Sequence, residues 1–348
     1  TTNILRYRKV KQKKGEFYQI VLAQSPFYAE MGGQVGDSGV LVSPGGSVTE
    51  IYDTKRENGM AVHLTKKMPA DPTAVFEARI DKKNRMATSC NHTATHLLHE
   101  ALREVLGTHV EQRGSFVSPK FLRFDFSHFQ KVTPEELREV EHRANAKVRA
   151  AISRDERRNV PIAEAQSMGA MALFGEKYGE EVRVIRYGDS VELCGGTHVD
   201  NTGNIGMIRI VSESSIAAGI RRIEAITGEA VEEALDEMTD RMREMAGMFN
   251  NAPDVVAAMR RAIAENADLH KEVEGYMKER TDAMVQQAIA KAENVGGVKL
   301  VTLAGVRVPE IVKNVAFGVR AASPEATAFI AATVDMTGKP LLTVMLTD

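Results

Sequence analysis

Asn91-His92-Thr93-Ala94-Thr95-His96-Leu97-Leu98-His99-Glu100-Ala101-Leu102 is the stretch from which the rest of this 348-residue chain is best read. His92, His96, Leu97, Leu98, Leu102 and Val105 recur at three- and four-residue steps until Gly107, the signature of an amphipathic helix starting at Asn91 and stopped by glycine. His92 and His96 stand four apart on one helical face, so both imidazoles can point at one ion. His99 has a different angular position and reads as a flank residue. Far downstream, Cys194-Gly195-Gly196-Thr197-His198 repeats the three-residue gap, with two glycines that favour a tight loop over a helix. His92, His96, Cys194 and His198 together make a tetrahedral ligand set whose thiolate and imidazole chemistry suits zinc better than iron or copper. A metalloprotease would need a glutamate directly after the first histidine as general base; Thr93 occupies that position.

Upstream of the helix the texture is short and strand-like. Glu16–Ala23, Gly39–Val48 and Ala74–Ile80 are separated by Gly, Pro, Asn and Asp punctuation, which predicts a small β-barrel over residues 1–83. Its densest feature, Ser25 to Gly39, packs four glycines into the eight residues 32–39 and reads as an elaborate turn. Downstream, Thr133-Pro134-Glu135-Glu136 opens a second helix with Thr133 as its cap. Strand-like runs at Phe121–Phe126, Glu181–Tyr187, Gly206–Ser212 and Ile220–Ala225 complete an α/β or α+β domain over 84–228. Residues 229–295 are expected to form a long helical hairpin broken at Asn250-Asn251-Ala252-Pro253, its second helix running Asp254–Asn294. Val231, Leu235, Met238, Met242, Met245 and Met248 form an apolar stripe that serves either the hairpin partner or a second chain. Gly296-Gly297 then releases a small α/β domain over 296–348, with a strand at Val298–Val308, a helix from Pro309 and two strands ending at Leu346. The fold class expected is α+β multidomain.

Composition is that of an ordinary globular chain: 43% hydrophobic and 26% charged, enough for two or three domains and unlike collagenous or disordered classes. No stretch approaches the roughly 20 apolar residues of a membrane span, and the N-terminus lacks an apolar signal core, so a cytoplasmic protein is expected. The first residue is not Met, which reads as a fragment or a trimmed start. Two cysteines make a disulfide framework implausible. The net charge of −2 hides an uneven distribution. Residues 1–91 hold 14 Lys/Arg against 9 Asp/Glu, whereas 229–293 hold 8 against 15. Arg6, Arg8, Lys9, Lys11, Lys13 and Lys14 form a basic run that reads either as a phosphate-binding patch or as a strand edge protected by charge.

Asn91 to His96, Leu122-Arg123-Phe124-Asp125-Phe126-Ser127, Cys194 to His198 and Gly219-Ile220-Arg221-Arg222-Ile223-Glu224 resemble the editing domain of alanyl-tRNA synthetases. Phe27-Tyr28-Ala29-Glu30-Met31-Gly32-Gly33-Gln34 resembles the glycine-rich motif of the barrel that precedes it there. The likeness covers essentially the whole chain, with the motifs in order. It implies a hydrolase within a ligase that cleaves the ester of serine or glycine wrongly attached to tRNA(Ala), with Zn2+ at the His/Cys set. Thr95 and Gln112 match positions such domains use in the editing pocket. The resemblance also implies an ATP-dependent aminoacylation domain upstream, the remainder of a C-terminal domain after residue 348, and a possible homodimer. Cys90 departs from the aliphatic residue expected before the Asn-His motif and reads as neutral packing. Arg221 and Arg222 either contact RNA or cap a buried acid such as Glu224.

Two rival classes stand beside this one. A free-standing deacylase would share the editing motifs without the acidic helices and last domain. A tRNA-binding or dimerisation module would need no His/His/Cys/His set.

Overall fold

The computed structural model describes residues 1–12, 15–171, 179–306, 308–334 and 337–347. Lys13 and Lys14 of the basic run lie outside the described residues. The chain forms two compact units, Thr1–Thr239 and Asp240–Asp348.

The first unit opens with seven strands: β1 (Thr2–Gln12), β2 (Gly15–Leu22), β3 (Gly39–Val42), β4 (Val48–Ile51), β5 (Asp53–Glu57), β6 (Met60–Thr65) and β7 (Val75–Ile80). They lie in the order β4-β3-β7-β1-β2-β6-β5. The strands at the two ends of this sheet, β4 and β5, are consecutive in the chain and joined by Tyr52 alone, so the sheet curls until its edges meet. Ile20, Leu41, Ile51 and Phe76 fill its interior. The expected strand Gly39–Val48 is two strands, because Pro44-Gly45-Gly46 makes a hairpin turn with Gly46 at positive φ.

Helix α1 (Lys82–Leu106) starts nine residues before the expected Asn91. Asp81 caps it by accepting from the Asn84 amide, and Lys82 to Arg85 form a polar, mostly exposed first turn that apolar periodicity cannot reveal. Strands β8 (Gln112–Val117) and β9 (Leu122–Ser127) follow, then α2 (Pro134–Arg149). Thr133 and Glu136 close a reciprocal capping box at its start. A small sheet of β10 (Asp155–Pro161), β11 (Glu181–Tyr187) and β12 (Ser190–Leu193) carries the short α3 (Ile162–Ser167). Strands β13 (Ile208–Ala217) and β14 (Ile220–Thr227) complete a four-stranded sheet, β13-β14-β9-β8. Leu97, Leu98, Leu102, Phe124, Phe126 and Val140 bind α1 and α2 to that sheet in one core.

Two helices follow, α4 (Glu229–Met248) and α5 (Val255–Ala290). The second is 36 residues, about 54 Å, and stops four residues short of the expected Asn294 because Glu293–Val295 leaves as a strand, β15. Of the expected apolar stripe only Val231 is buried; Leu235, Met238, Met242 and Met248 are exposed. The last sheet, β15-β16-β17-β18, adds β16 (Val298–Leu303), β17 (Thr327–Val334) and β18 (Pro340–Leu346). Strands β16 and β17 run parallel through the crossover helix α6 (Pro309–Ala322), which buries Val315 and Val319 against Val301 and Phe329.

Candidate functional site

From Thr88 to Leu102 every residue of α1 is buried, nine of them polar: Thr88, Ser89, Asn91, His92, Thr93, Thr95, His96, His99 and Glu100. Desolvating so many polar groups is costly unless each finds a partner, so their partners define the site. Asn91 is satisfied by scaffold, donating from Nδ2 to the Ser118 carbonyl at 2.8 Å and accepting from Thr227 Oγ1 at 2.8 Å. The histidines look elsewhere.

His92, His96, Cys194 and His198 come together, one ligand atom from each lying within 4.8 Å of all the others. His92 Nε2 is 3.3 Å and His198 Nε2 3.2 Å from Cys194 Sγ. A zinc ion with Zn–N of about 2.0 Å and Zn–S of about 2.3 Å spaces its ligands by roughly 3.3–3.6 Å across a tetrahedral edge. Burial, with the neighbouring imidazole of His96, pushes His92 down to about 3, and burial likewise lowers His96 and His198. All three rings are therefore neutral, each with a lone pair to offer.

Which nitrogen carries the lone pair is set from outside. Gln34 Oε1 accepts from the Thr197 amide at 2.8 Å and lies 2.7 Å from His92 Nδ1, so the ring donates there and its Nε2 is left bare. Thr93 Oγ1, which accepts from the Val199 amide, holds His198 Nδ1 at 3.1 Å. His96 Nε2 is 3.2 Å from Glu192 Oε2, while its Nδ1 is buried with no hydrogen-bond partner. Glu192 also accepts from His99 Nδ1 at 3.0 Å. Burial opposes its ionisation, and the N–H it accepts from His99, with the His96 ring beside it, holds the carboxyl below the usual carboxylate range. A buried ring nitrogen without a hydrogen-bond partner, in a cluster of one thiol and three imidazoles, fits a cation-binding role, and the cluster can hold a metal ion of the zinc type.

Gly196 makes the cluster compact. A Cβ there would overlap the His92 ring and sit 2.8 Å from Gln34 Oε1, so no side chain fits between the loop and the helix. Gly33 has the same role in the barrel loop: at φ +82° its backbone lies against the Ser115 carbonyl, and Val117 donates to its carbonyl at 2.8 Å. The stretch Ser25 to Gly39 is thus more than a turn, since it delivers Gln34 to the cluster and Tyr28 and Met31 to an adjoining pocket.

Thr95 and Gln112 line that pocket beside His92 and His96. Thr95 Oγ1 donates to the Asn91 carbonyl at 2.9 Å, so towards a ligand it can only accept. Gln112 is half-buried and its amide makes no hydrogen bond among the described residues.

Sequence reasoning placed His99 on the flank, yet it belongs to this network through Glu192. Glu192, Gln34 and Thr93 were missed; the usable signals were a carboxylate two residues before Cys194 and a hydroxyl between the two histidines. Arg221 and Arg222 are not paired with Glu224: Arg222 grips Asp125 through two bonds of 2.6 and 2.8 Å, and Arg221 pairs with Glu213. Cys90 is buried as neutral packing requires, and burial raises its thiol to about 11.

With this geometry in view, comparison with known proteins finds similarity to tRNA synthetases. Residues 4–83 match the family described as tRNA synthetases class II (A), and residues 182–224 match the threonyl and alanyl tRNA synthetase second additional domain. The chain is 56% identical over 347 residues to the alanine–tRNA ligase of Bacteroides fragilis (strain YCH46), 52% to that of Porphyromonas gingivalis and 45% to that of Cytophaga hutchinsonii. Each match covers 99–100% of this chain and 39–40% of the relative. Along its whole length the chain is a relative of the alanine–tRNA ligases, and it spans about 40% of their length. Among the described residues no helix is long and apolar enough to cross a membrane.

Proposed function

We propose that this chain carries the editing centre of an alanine–tRNA ligase, a zinc-containing hydrolase that cleaves seryl or glycyl esters from mischarged tRNA(Ala). The observation that carries the reading is the buried His92/His96/Cys194/His198 cluster beside a pocket lined by Thr95 and Gln112. An alanine pocket cannot strongly reject glycine, nor a serine that only adds a hydroxyl, so a ligase of this kind needs a second, hydrolytic sieve.

The chain's own residues divide the task. Thr95 Oγ, able only to accept, takes a hydrogen bond from the serine hydroxyl that alanine cannot offer, and Gln112 supplies an uncommitted amide. Gln34 and Thr93 hold Nδ1 of His92 and of His198 so that each Nε2 meets Cys194 Sγ, and Glu192 holds the His96 ring at Nε2. Zn2+, when bound, would tie helix α1 to the Cys194–His198 loop and so fix the walls of this pocket. Because four protein ligands complete a tetrahedral shell, we favour a positioning role for it over a metal-bound hydroxide.

On the same reading, residues 1–83 are the barrel subdomain, 84–228 the editing domain, 229–295 the helical arm and 296–348 part of a C-terminal domain. The parent ligase would attach alanine to tRNA(Ala) with ATP in the cytoplasm, as a possible homodimer. The test offers the purified protein seryl- and alanyl-tRNA(Ala) and measures bound metal alongside. One zinc per chain and selective seryl hydrolysis are expected, both lost in Cys194→Ala. Seryl hydrolysis surviving in a metal-free Cys194→Ala protein would end the proposal.

A further inference from the structure

The Cys194–His198 loop has two sides, and the cluster and its pocket occupy only one. On the other lies a cleft of about 570 Å3 between the start of α1 and the β10–β11 sheet. Gly195 and Gly196 line both spaces, so one thin stretch of backbone separates the cleft from the pocket. Lys82, Arg85, Arg154, Arg158 and Arg183 face it against the carboxylates of Glu156 and Asp200.

The cations are anchored at its floor and open at its rim. Arg183 donates to the carbonyls of Cys194 at 3.0 Å and Gly196 at 2.6 Å, and Arg154 donates to the His198 carbonyl at 2.8 Å, so both guanidiniums are fixed by the loop. Glu156 serves Arg154, Arg158 and Arg183, and its carboxyl is held at about 2, chiefly by Arg183; Asp200 also pairs with Arg154 at 2.8 Å, and Arg85 is paired with Asp37. Two carboxylates set against three guanidiniums and Lys82 leave positive charge uncompensated. The Arg158 side chain is 73% exposed, and Lys82 has no ion pair among the described residues. The basic run on β1, which the sequence leaves open between a phosphate patch and a strand edge protected by charge, is held by local pairs: Arg8 pairs with Glu57, and Lys9 and Lys11 share Glu16.

Among the described residues no Phe, Tyr or Trp lines the cleft, and the His198 ring at its wall is buried and held by Thr93 and Cys194, so the cleft offers bases little to stack on. Fixed guanidiniums with an exposed lysine and arginine suit phosphate oxygens instead. We propose that this cleft binds the sugar–phosphate backbone of an RNA strand whose 3′ end lies in the adjoining pocket. The inference rests on the editing function proposed above, and it assigns RNA contact to Lys82 and Arg158 in place of the β1 run.

The test is fluorescence-anisotropy titration of uncharged tRNA(Ala) across a salt series, with parent protein, Lys82→Glu/Arg158→Glu and the β1 variant Lys9→Glu/Lys11→Glu. Uncharged tRNA is chosen because failure of the hydrolytic reading, seen as absent deacylation by the parent, then leaves the binding result intact. Cleft reversal is expected to weaken binding tenfold or more and to reduce the log–log salt slope by about 1.5–2, the share of two phosphate contacts. The β1 variant is expected to stay within twofold of parent. Metal content and thermal midpoint certify the fold, and Lys82→Gln/Arg158→Gln, with an expected loss in the same direction, replaces the reversal if that protein is unfolded. Parent-like binding by a folded cleft variant overturns the proposal. So does a larger loss in the β1 variant, or displacement of tRNA by inorganic phosphate at concentrations whose ionic strength in chloride has no effect, which would make the cleft a small-anion site.

Discussion

Helices α1 and α5 are both written with apolar residues at helical spacing, yet they end in opposite surroundings. In α1 fifteen successive positions are buried, polar ones included. In α5, 36 residues long, only Val285 and Ala288 are buried, while Val256, Ile263, Leu269, Val273 and Tyr276 are exposed. Apolar spacing identifies a face; it does not say whether anything covers that face. The buried polar residue is the more informative sign, because its desolvation must be repaid by a partner, and in α1 following those partners leads directly to the cluster.

The largest effect that tests this contrast lies at the loop facing α1. Gly196→Ala should displace the His92 ring and cost at least tenfold in zinc affinity, read by competition with a chelator; near-parental affinity would show that the helix and loop are not in the contact described. Next, Leu98→Ala should lower stability by about 2–5 kcal/mol, since Leu98 is fully buried, whereas Leu269→Ala, 58% exposed, should stay within about 0.5 kcal/mol. A comparable loss at both sites in chemical denaturation would mean that α5 is covered in solution.

Selectivity should respond more gently. Thr95→Val and Gln112→Ala should each lower the seryl-to-alanyl hydrolysis ratio by an amount worth about 0.5–1.5 kcal/mol while leaving the thermal midpoint nearly unchanged. An unchanged ratio in both would remove them from substrate recognition.

The smallest effect is a pH dependence in the barrel, where burial lowers the pKa of His63 despite its contact with the Ile20 carbonyl. An unfolded histidine titrates near 6.5. Below that pH the unfolded chain binds a proton that the folded barrel refuses, so His63 costs stability as pH falls from about 6.5 towards its lower folded pKa, and has no such cost above. The thermal-midpoint difference between parent and His63→Gln should therefore narrow between pH 7 and 5; a constant difference would show that His63 is protonated equally in both states.

The sequence alone determined what depends on neighbours a few residues apart. His92 and His96 share a face because an α-helix returns every 3.6 residues. Thr133 and Glu136 close a cap because N-cap and N3 are always in reach. Cys194 and His198 sit on one loop because two glycines let it turn. Tertiary structure decided everything that joins distant segments. Gln34 reaches His92 across 58 positions, and Glu192 reaches His99 across 93, so no local pattern marks either as a partner. Tertiary structure likewise decided how the cations are paired: Lys9 and Lys11 look free in the sequence but share Glu16, while Arg154, Arg158 and Arg183 share Glu156 and Arg154 also reaches Asp200. Charge counts add along a chain, whereas ion pairing falls steeply with distance in space, and only the fold sets those distances.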